Sequence, residues 1–443
     1  MRDYTNEILH GSIIRGMLHL ILPILICGLF QQLYSMTDAI VIGRSADQDA
    51  LAVIGGSSSM LISIFYGLSG GIVSGAMFAI AYDCGASDES EKKSCSMTGL
   101  LLALILGAAA AAYFLGDARR LLALLQVPAQ LADRSAAWMR LYALGFPPYF
   151  MFQMEIGQMR ACGELKRSSL YLILSFLLNI LLDIILVSLL HAQETGIAIA
   201  FILTQCIAAL AAFPGLHSLI PSDLRQPRIS RNDLLRILRI GIPSSAISIA
   251  YALSNTVVQS GFNQLGSATI AGYAIHNKID GFYWIMMTCM GTALTTFLSQ
   301  NYGAHQLLRV RRTIRISLLI TMLITACTSA VFCLLSGPLT ALYTSDLPIQ
   351  AQAAAILTFM APCYLAYPLN EIMSAALKCI GRAVPASVAA FCCVCIVRTA
   401  WIIIHFNELS IRMILLVYPL SWVLSAICLT LEYFFFRKRA LYD

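Results

Sequence analysis

Between Leu22 and Arg44 the chain reads LPILICGLFQQLYSMTDAIVIGR, an apolar run long enough to cross a bilayer, with one carboxylate, Asp38, well inside it. A charge at that depth costs a few kcal/mol even on lenient insertion scales, so it is tolerated chiefly where it faces a wet interior. Gln31, Tyr34 and Asp38 stand at i, i+3 and i+7 and so share one helical face. Pro23, near the start of the run, interrupts the backbone hydrogen-bond ladder there. The expectation is a helix lining a polar cavity, with an ionisable group at its centre and Gln31 and Tyr34 on the cavity wall.

The rest of the chain is built to match. Of its 443 residues 59% are hydrophobic and 12% charged, with a mean hydropathy of +0.77. Soluble chains carry about 25% charged residues, so this composition marks a membrane protein. Apolar windows fall near 14–42, 51–82, 96–115, 136–158, 168–190 and 195–214, then near 238–264, 268–300, 313–336, 351–376, 384–405 and 411–436. Twelve spans are expected, hence an all-α membrane protein. The fourteen Cys are scattered through these runs as packing residues. Cys392 and Cys395 form a CxxC inside a span, without His or acidic companions for a metal or redox role. The polar start, MRDYTNEILHG, is followed by no small-residue cleavage site, so the first span is expected to be retained.

Basic residues set the orientation. With both termini placed in the cytoplasm, twenty-one Lys and Arg fall in inner loops and six in outer ones, with Lys278 and Arg398 inside spans. That is a strong positive-inside bias, and the formal net charge of +6 therefore says nothing of nucleic acid. Both termini are expected to be cytoplasmic. The polar stretch 215–237, LHSLIPSDLRQPRISRNDLLRIL, contains Pro221 and Pro227 and divides the chain. Within it Ser230 and Asp233 offer a helix start, and its basic residues are expected against anionic headgroups. The halves are then 12–214 and 238–436.

The halves repeat. Pro23 corresponds to Pro243, Gly85 to Gly303 and Gly163 to Gly381, at offsets of 220, 218 and 218. Each half holds an even number of spans, so both enter the membrane from the same side. A pseudo-two-fold axis along the membrane normal is expected, the parallel-repeat plan of alternating-access transporters.

Span five carries Asn179 and Asp183, four apart and on one face. Two intramembrane carboxylates, Asp38 and Asp183, in one half suit a site for H+, and carbonyl and amide oxygens nearby would suit Na+. In the second half the offsets put Val258 opposite Asp38 and Trp401 opposite Asp183. That half offers instead Asn255 and Gln259 on span seven, Lys278 and Asp280 on span eight, Glu371 on span ten and Arg398 on span eleven. The four charges sum to zero and are expected to pair with one another. Asn255, Gln259 and Glu371 are candidate cavity residues. Ser59, Ser63, Gly67, Gly71 and Gly75, at every fourth position of span two, are expected to let helices approach closely. The chain has no P-loop, HExxH or GxSxG, so neither an enzyme nor an ATP-driven pump is expected.

LPILICGLFQQLYSMTDAIVIGR, ALAVIG, FLSQNYGA, NILLD and GIAIAF–TQ, in this order, resemble the multidrug and toxic compound extrusion (MATE) family, and its bacterial DinF-like branch in particular. The resemblance runs from about Gly16 to about Arg437. It implies two six-helix lobes and a cation-coupling site of Asp38, Asn179 and Asp183. The family Thr of helix six matches Phe201 here, with Thr204 one turn further on. Acidic groups used by another branch on helices seven and ten fall at Asn255 and Glu371. The implied activity is export of lipophilic, often cationic small molecules in exchange for H+ or Na+, by a protein of the bacterial cytoplasmic membrane working as a monomer, with no cofactor and no nucleic-acid partner. The alternative is a lipid-linked precursor flippase, but an anionic pyrophosphate headgroup calls for several cavity cations, and only Lys278 and Arg398 lie within spans.

Overall fold

Long apolar runs bury their backbone polar groups most simply as helices, and among the described residues this computed structural model has no strand. It describes residues 4–45, 53–54, 57–124, 129–220, 229–406, 408 and 410–441. The side chains of residues 4, 33–45, 57, 59–60, 123–124, 129–130, 267 and 437–441 lie outside the described set, so Tyr34 and Asp38 are placed by backbone alone.

The helices are α1 (Tyr4–His10), α2 (Ile13–Ser45), α3 (Ser57–Gly85), α4 (Glu89–Leu124), α5 (Ala129–Ala143), α6 (Phe146–Ala161), α7 (Leu165–Asp183) and α8 (Gln193–His217). There follow α9 (Arg231–Asn263), α10 (Ser267–Gly303), α11 (Leu307–Leu334), α12 (Ser336–Ala341), α13 (Leu347–Cys363), α14 (Pro368–Cys379), α15 (Ala383–Ala390), α16 (Val397–Ile404) and α17 (Ile411–Leu441). Eleven stretches among the described residues are long and apolar enough to cross a membrane. The fourth expected span, 136–158, is broken between α5 and α6. Pro147 and Pro148 sit in the first turn of α6, where their missing N–H groups cost nothing. Gly145 before them has no room for a side chain, since a Cβ would lie 2.6 Å from the Phe201 ring.

Membrane chains turn soluble patterning inside out, and α11 does so. Thr313, Ser317, Thr321 and Thr325 are fully buried, while Leu319 and Leu323 are 70% and 66% exposed. The Thr321 hydroxyl donates back to the Ser317 carbonyl at 2.7 Å, which satisfies it within its own helix. The exposed leucines offer the apolar surface that lipid requires.

The chain divides into two compact units, one of Leu22–Ser245 with the segment ending at Asn6, the other of Glu7–Ile21 with Ala246–Asp443. In the first unit α6 packs on α3, α4, α7 and α8, around Phe114, Phe146, Phe150 and Phe152, each at most 2% exposed. Gly71 and Gly75 of α3 meet α9 at backbone distance: a Cβ on Gly75 would lie 2.8 Å from the Gly241 nitrogen. Close approach is thus what the small residues provide there.

The Ser230 hydroxyl accepts the Asn232 and Asp233 N–H groups at 3.2 and 3.4 Å and starts α9. Arg236, expected among headgroup-facing basic residues, instead meets carboxylates of the first unit, two of them on buried residues. It contacts Asp83 at 2.6 Å, Asp233 at 3.3 Å and Glu91 at 3.6 Å. The Ser94 hydroxyl donates to Asp233 at 2.6 Å.

In the second unit α10 packs on α11, α13 and α14, and α14 on α17, around Tyr283, Tyr364 and Trp422. Arg309 holds the end of α1 by donating to the carbonyls of Ile8 and Gly11 at 2.9 and 2.6 Å.

The duplication is written in the backbone. Ser87 and His305, 218 apart, turn through φ 57° and 56°, and Gly163 and Gly381, also 218 apart, through 83° and 75°. Each turn closes with the same bond, Asp88 N–H to Asp83 C=O and Gln306 N–H to Asn301 C=O, then Glu164 to Met159 and Arg382 to Leu377. This is the helix-ending motif in which a left-handed residue lets an N–H reach back five positions.

Candidate functional site

Two of the polar groups within the spans, one in each unit, hold the residues singled out above. In the first, α7 stacks Asn179 over Asp183, 7% and 2% exposed. The Asn179 amide donates to the Thr204 hydroxyl of α8 at 3.2 Å. Phe201 does not share this contact. It turns toward α5 and stacks on Tyr142, with ring centroids 4.1 Å apart and planes 6° from parallel. One helical turn separates the two positions, and the polar residue of the pair is the one that meets Asn179. Beyond Asp183 the helix loosens into a π-helical stretch, Ile184–Leu189. Such widened turns leave backbone groups less tightly committed and recur at functional sites. Gln31, in the same unit, is exposed. The side chains of Asp38 and Tyr34 lie outside the described residues.

In the second unit α9, α10, α13, α16 and α17, with Tyr367 just before α14, surround a cavity of about 470 Å³. Asn255 and Gln259 of α9 line it, as the spacing on span seven suggests. Glu371 is not on the wall but stands behind it, where Tyr367, which is on the wall, donates to its Oε2 at 3.1 Å. The Glu371 carboxylate fills the place where α10 has Gly291, and a Cβ there would come within 2.9 Å of its Cδ.

The expected pairing among the four span charges is not what forms. Among the described residues no ion pair joins any two of Lys278, Asp280, Glu371 and Arg398. Lys278 is exposed. Arg398, 3% exposed, donates to the Ser421 hydroxyl at 3.0 Å and the Asn255 side-chain carbonyl at 3.2 Å. Its guanidinium lies over Tyr418 and Trp422, 4.5 and 5.7 Å from the ring centroids. Asp280 accepts the Trp284 indole N–H at 2.8 Å and lies 3.9 Å from His276. Arg398 and Asp280 both line the cavity, with Tyr251 and Tyr273 among its aromatic wall. These are the residues that reasoning from pairs of opposite charge passes over. The available signal was their intramembrane position alone, since an ionisable group at that depth is a functional candidate by default.

The family model MatE matches this chain twice, at residues 23–185 and 243–403, which repeats the duplication seen in the turns. Among relatives, the "Probable multidrug resistance protein YoeA" of Bacillus subtilis is 23% identical over 440 residues, covering 97% of this chain and 95% of that protein. The "Multidrug export protein MepA" of Staphylococcus aureus is 22% identical over 384 residues, covering 86% and 84%. Both are named for resistance or export, not for an enzymatic activity. Among solved structures, a transporter of the MOP superfamily from Pyrococcus furiosus superposes with a TM-score of 0.91 at 21% identity, covering 100% of this chain and 99% of that one. An outward-facing multidrug resistance MATE family transporter superposes with a TM-score of 0.89, also at 21% identity, covering 99% and 98%. With eleven stretches among the described residues long and apolar enough to cross a membrane, and a family match in each half, this multi-pass membrane protein belongs to the MatE family.

Proposed function

We propose that this chain is a secondary active transporter that exports lipophilic, often cationic small molecules in exchange for H+ or Na+ by alternating access. The observation that carries the reading is the buried carboxylate of Asp183, stacked with Asn179, which reaches Thr204, in a chain whose relatives are named as multidrug exporters. A carboxylate beside amide and hydroxyl oxygens can take a proton, or with more oxygens a Na+ ion. Asp38, on the backbone of α2, supplies the second carboxylate of the proposed site. The outward and inward states would exchange as the site loads and empties, with two repeats moving as bodies.

The protein is placed in the cytoplasmic membrane as a functional monomer. Its termini are placed inside by the distribution of Lys and Arg. A protease-sensitive tag after Asp443 should therefore survive protease added to intact cells, and its digestion would reverse the topology.

Purified protein in liposomes, given a pH gradient or a Na+ gradient separately, should move ethidium against its own gradient with one of the two ions. Uptake that ignores both gradients would overturn the coupling. The flippase reading loses ground on the exposure of Lys278, which leaves Arg398 as the span cation on the described cavity wall.

A further inference from the structure

We propose that the cavity of the second unit binds an organic anion: an aromatic carboxylate with a hydrogen-bond donor at its far end. The cavity's 470 Å³ falls within the range of small-molecule sites, about 300–1,000 Å³. Its walls are aromatic, and in an ordinary aromatic box the ring faces attract a ligand cation. Here the faces of Tyr418 and Trp422 already hold a cation, the guanidinium of Arg398. A ligand cation at that end would meet like charge.

What Arg398 leaves over is donors. A guanidinium has five N–H groups in a planar fork that matches a carboxylate. Among the described residues Ser421 and Asn255 take one bond each, and the group is 3% exposed, on the cavity wall. Those two bonds and the two rings fix the fork before any ligand arrives, so little ordering entropy is lost on binding. Asp280 also lines the cavity, with one oxygen on the Trp284 indole and His276 3.9 Å away. It supplies an acceptor, and the ligand that uses both groups carries an anion toward Arg398 and a hydroxyl toward Asp280. One guanidinium suits one carboxylate, not a pyrophosphate. The proposal adds to the exporter reading without depending on it, because binding is measured without a gradient.

The test uses the full-length protein in detergent and titration calorimetry with 6-hydroxy-2-naphthoate and its carboxamide, which share size and hydroxyl and differ in charge. The acid should bind about tenfold or more tightly than the amide, the worth of one charge-assisted hydrogen-bonded pair. Arg398→Gln should reduce binding of the acid to that of the amide, and Arg398→Lys, which keeps the charge but loses the fork, should fall between. Equal binding of acid and amide by the unaltered protein would overturn the proposal, whatever the variants do. So would tighter binding of 2-naphthylmethylammonium than of the acid. Ethidium export that persists while the acid fails to bind would remove this proposal and leave the exporter reading standing.

Discussion

Replacing Asp38 with Asn is expected to abolish ion-driven export, by about 100-fold or more, while leaving the protein folded. That size lies near the upper range of coupling between linked sites, about 5–150-fold. Asp38 falls in expected span one, where a carboxylate is costly and is retained for a use. Removing an intramembrane charge also removes its desolvation cost, so the variant should be as stable as the native protein or more so, provided no partner is stranded. Binding of substrate at equilibrium should survive but lose its dependence on pH or Na+, because the linked ion is gone. Asp183→Asn should behave alike. The double variant should add little, since two carboxylates in one site act as a unit. A structural Asp38 would give the reverse, a lower melting temperature with coupling intact in what remains. Thermal unfolding and gradient-driven efflux from one preparation separate the two outcomes.

The second large effect is on stability. Arg236 stands among three carboxylates, two of them on the buried residues Asp83 and Asp233, which are 3% and 0% exposed. Arg236→Met strands these charges beside one another. Breaking a buried pair by removing one partner costs about 3–5 kcal/mol, and with the Arg236 side chain itself 35% exposed the low end, about 3 kcal/mol, is expected. The check is thermal unfolding of purified protein beside the double variant Arg236→Met/Asp83→Asn, which should recover much of the loss. An unchanged melting temperature in the single variant would mean that solvent screens the cluster. Because all four residues lie in the first unit, the same cluster ties the start of α9 to α3 and α4.

Much of the architecture was readable in one dimension because it depends on local quantities. Span length follows from apolar run length, helix pairing of Asn179 with Asp183 from a spacing of four, and the duplicated turns from residues that accept positive φ or tolerate it. Gly163 and Gly381 were matched by offset alone, and both prove left-handed. The break at Gly145 was present in the text of the chain as Pro147 and Pro148. An apolar window runs through prolines without registering that each removes a donor, so one span was expected where two helices stand.

Other features were decided by tertiary structure. Whether Phe201 or Thr204 meets Asn179 depends on the rotation of α8 against α7, and a rotation of one turn's worth of register leaves no trace in composition. The stack of Phe201 on Tyr142, fifty-nine residues earlier in the sequence, goes with that rotation. Arg398 makes the same point more sharply. Its charge could be counted against Asp280 and Glu371 and appeared balanced, yet in the folded chain it lies on Tyr418 and Trp422 and bonds Ser421 and Asn255. Its partners are neutral groups on other helices, and only three-dimensional proximity reveals them. A net charge is additive along a chain, whereas electrostatic pairing falls off with distance in space, and that distance is set by packing.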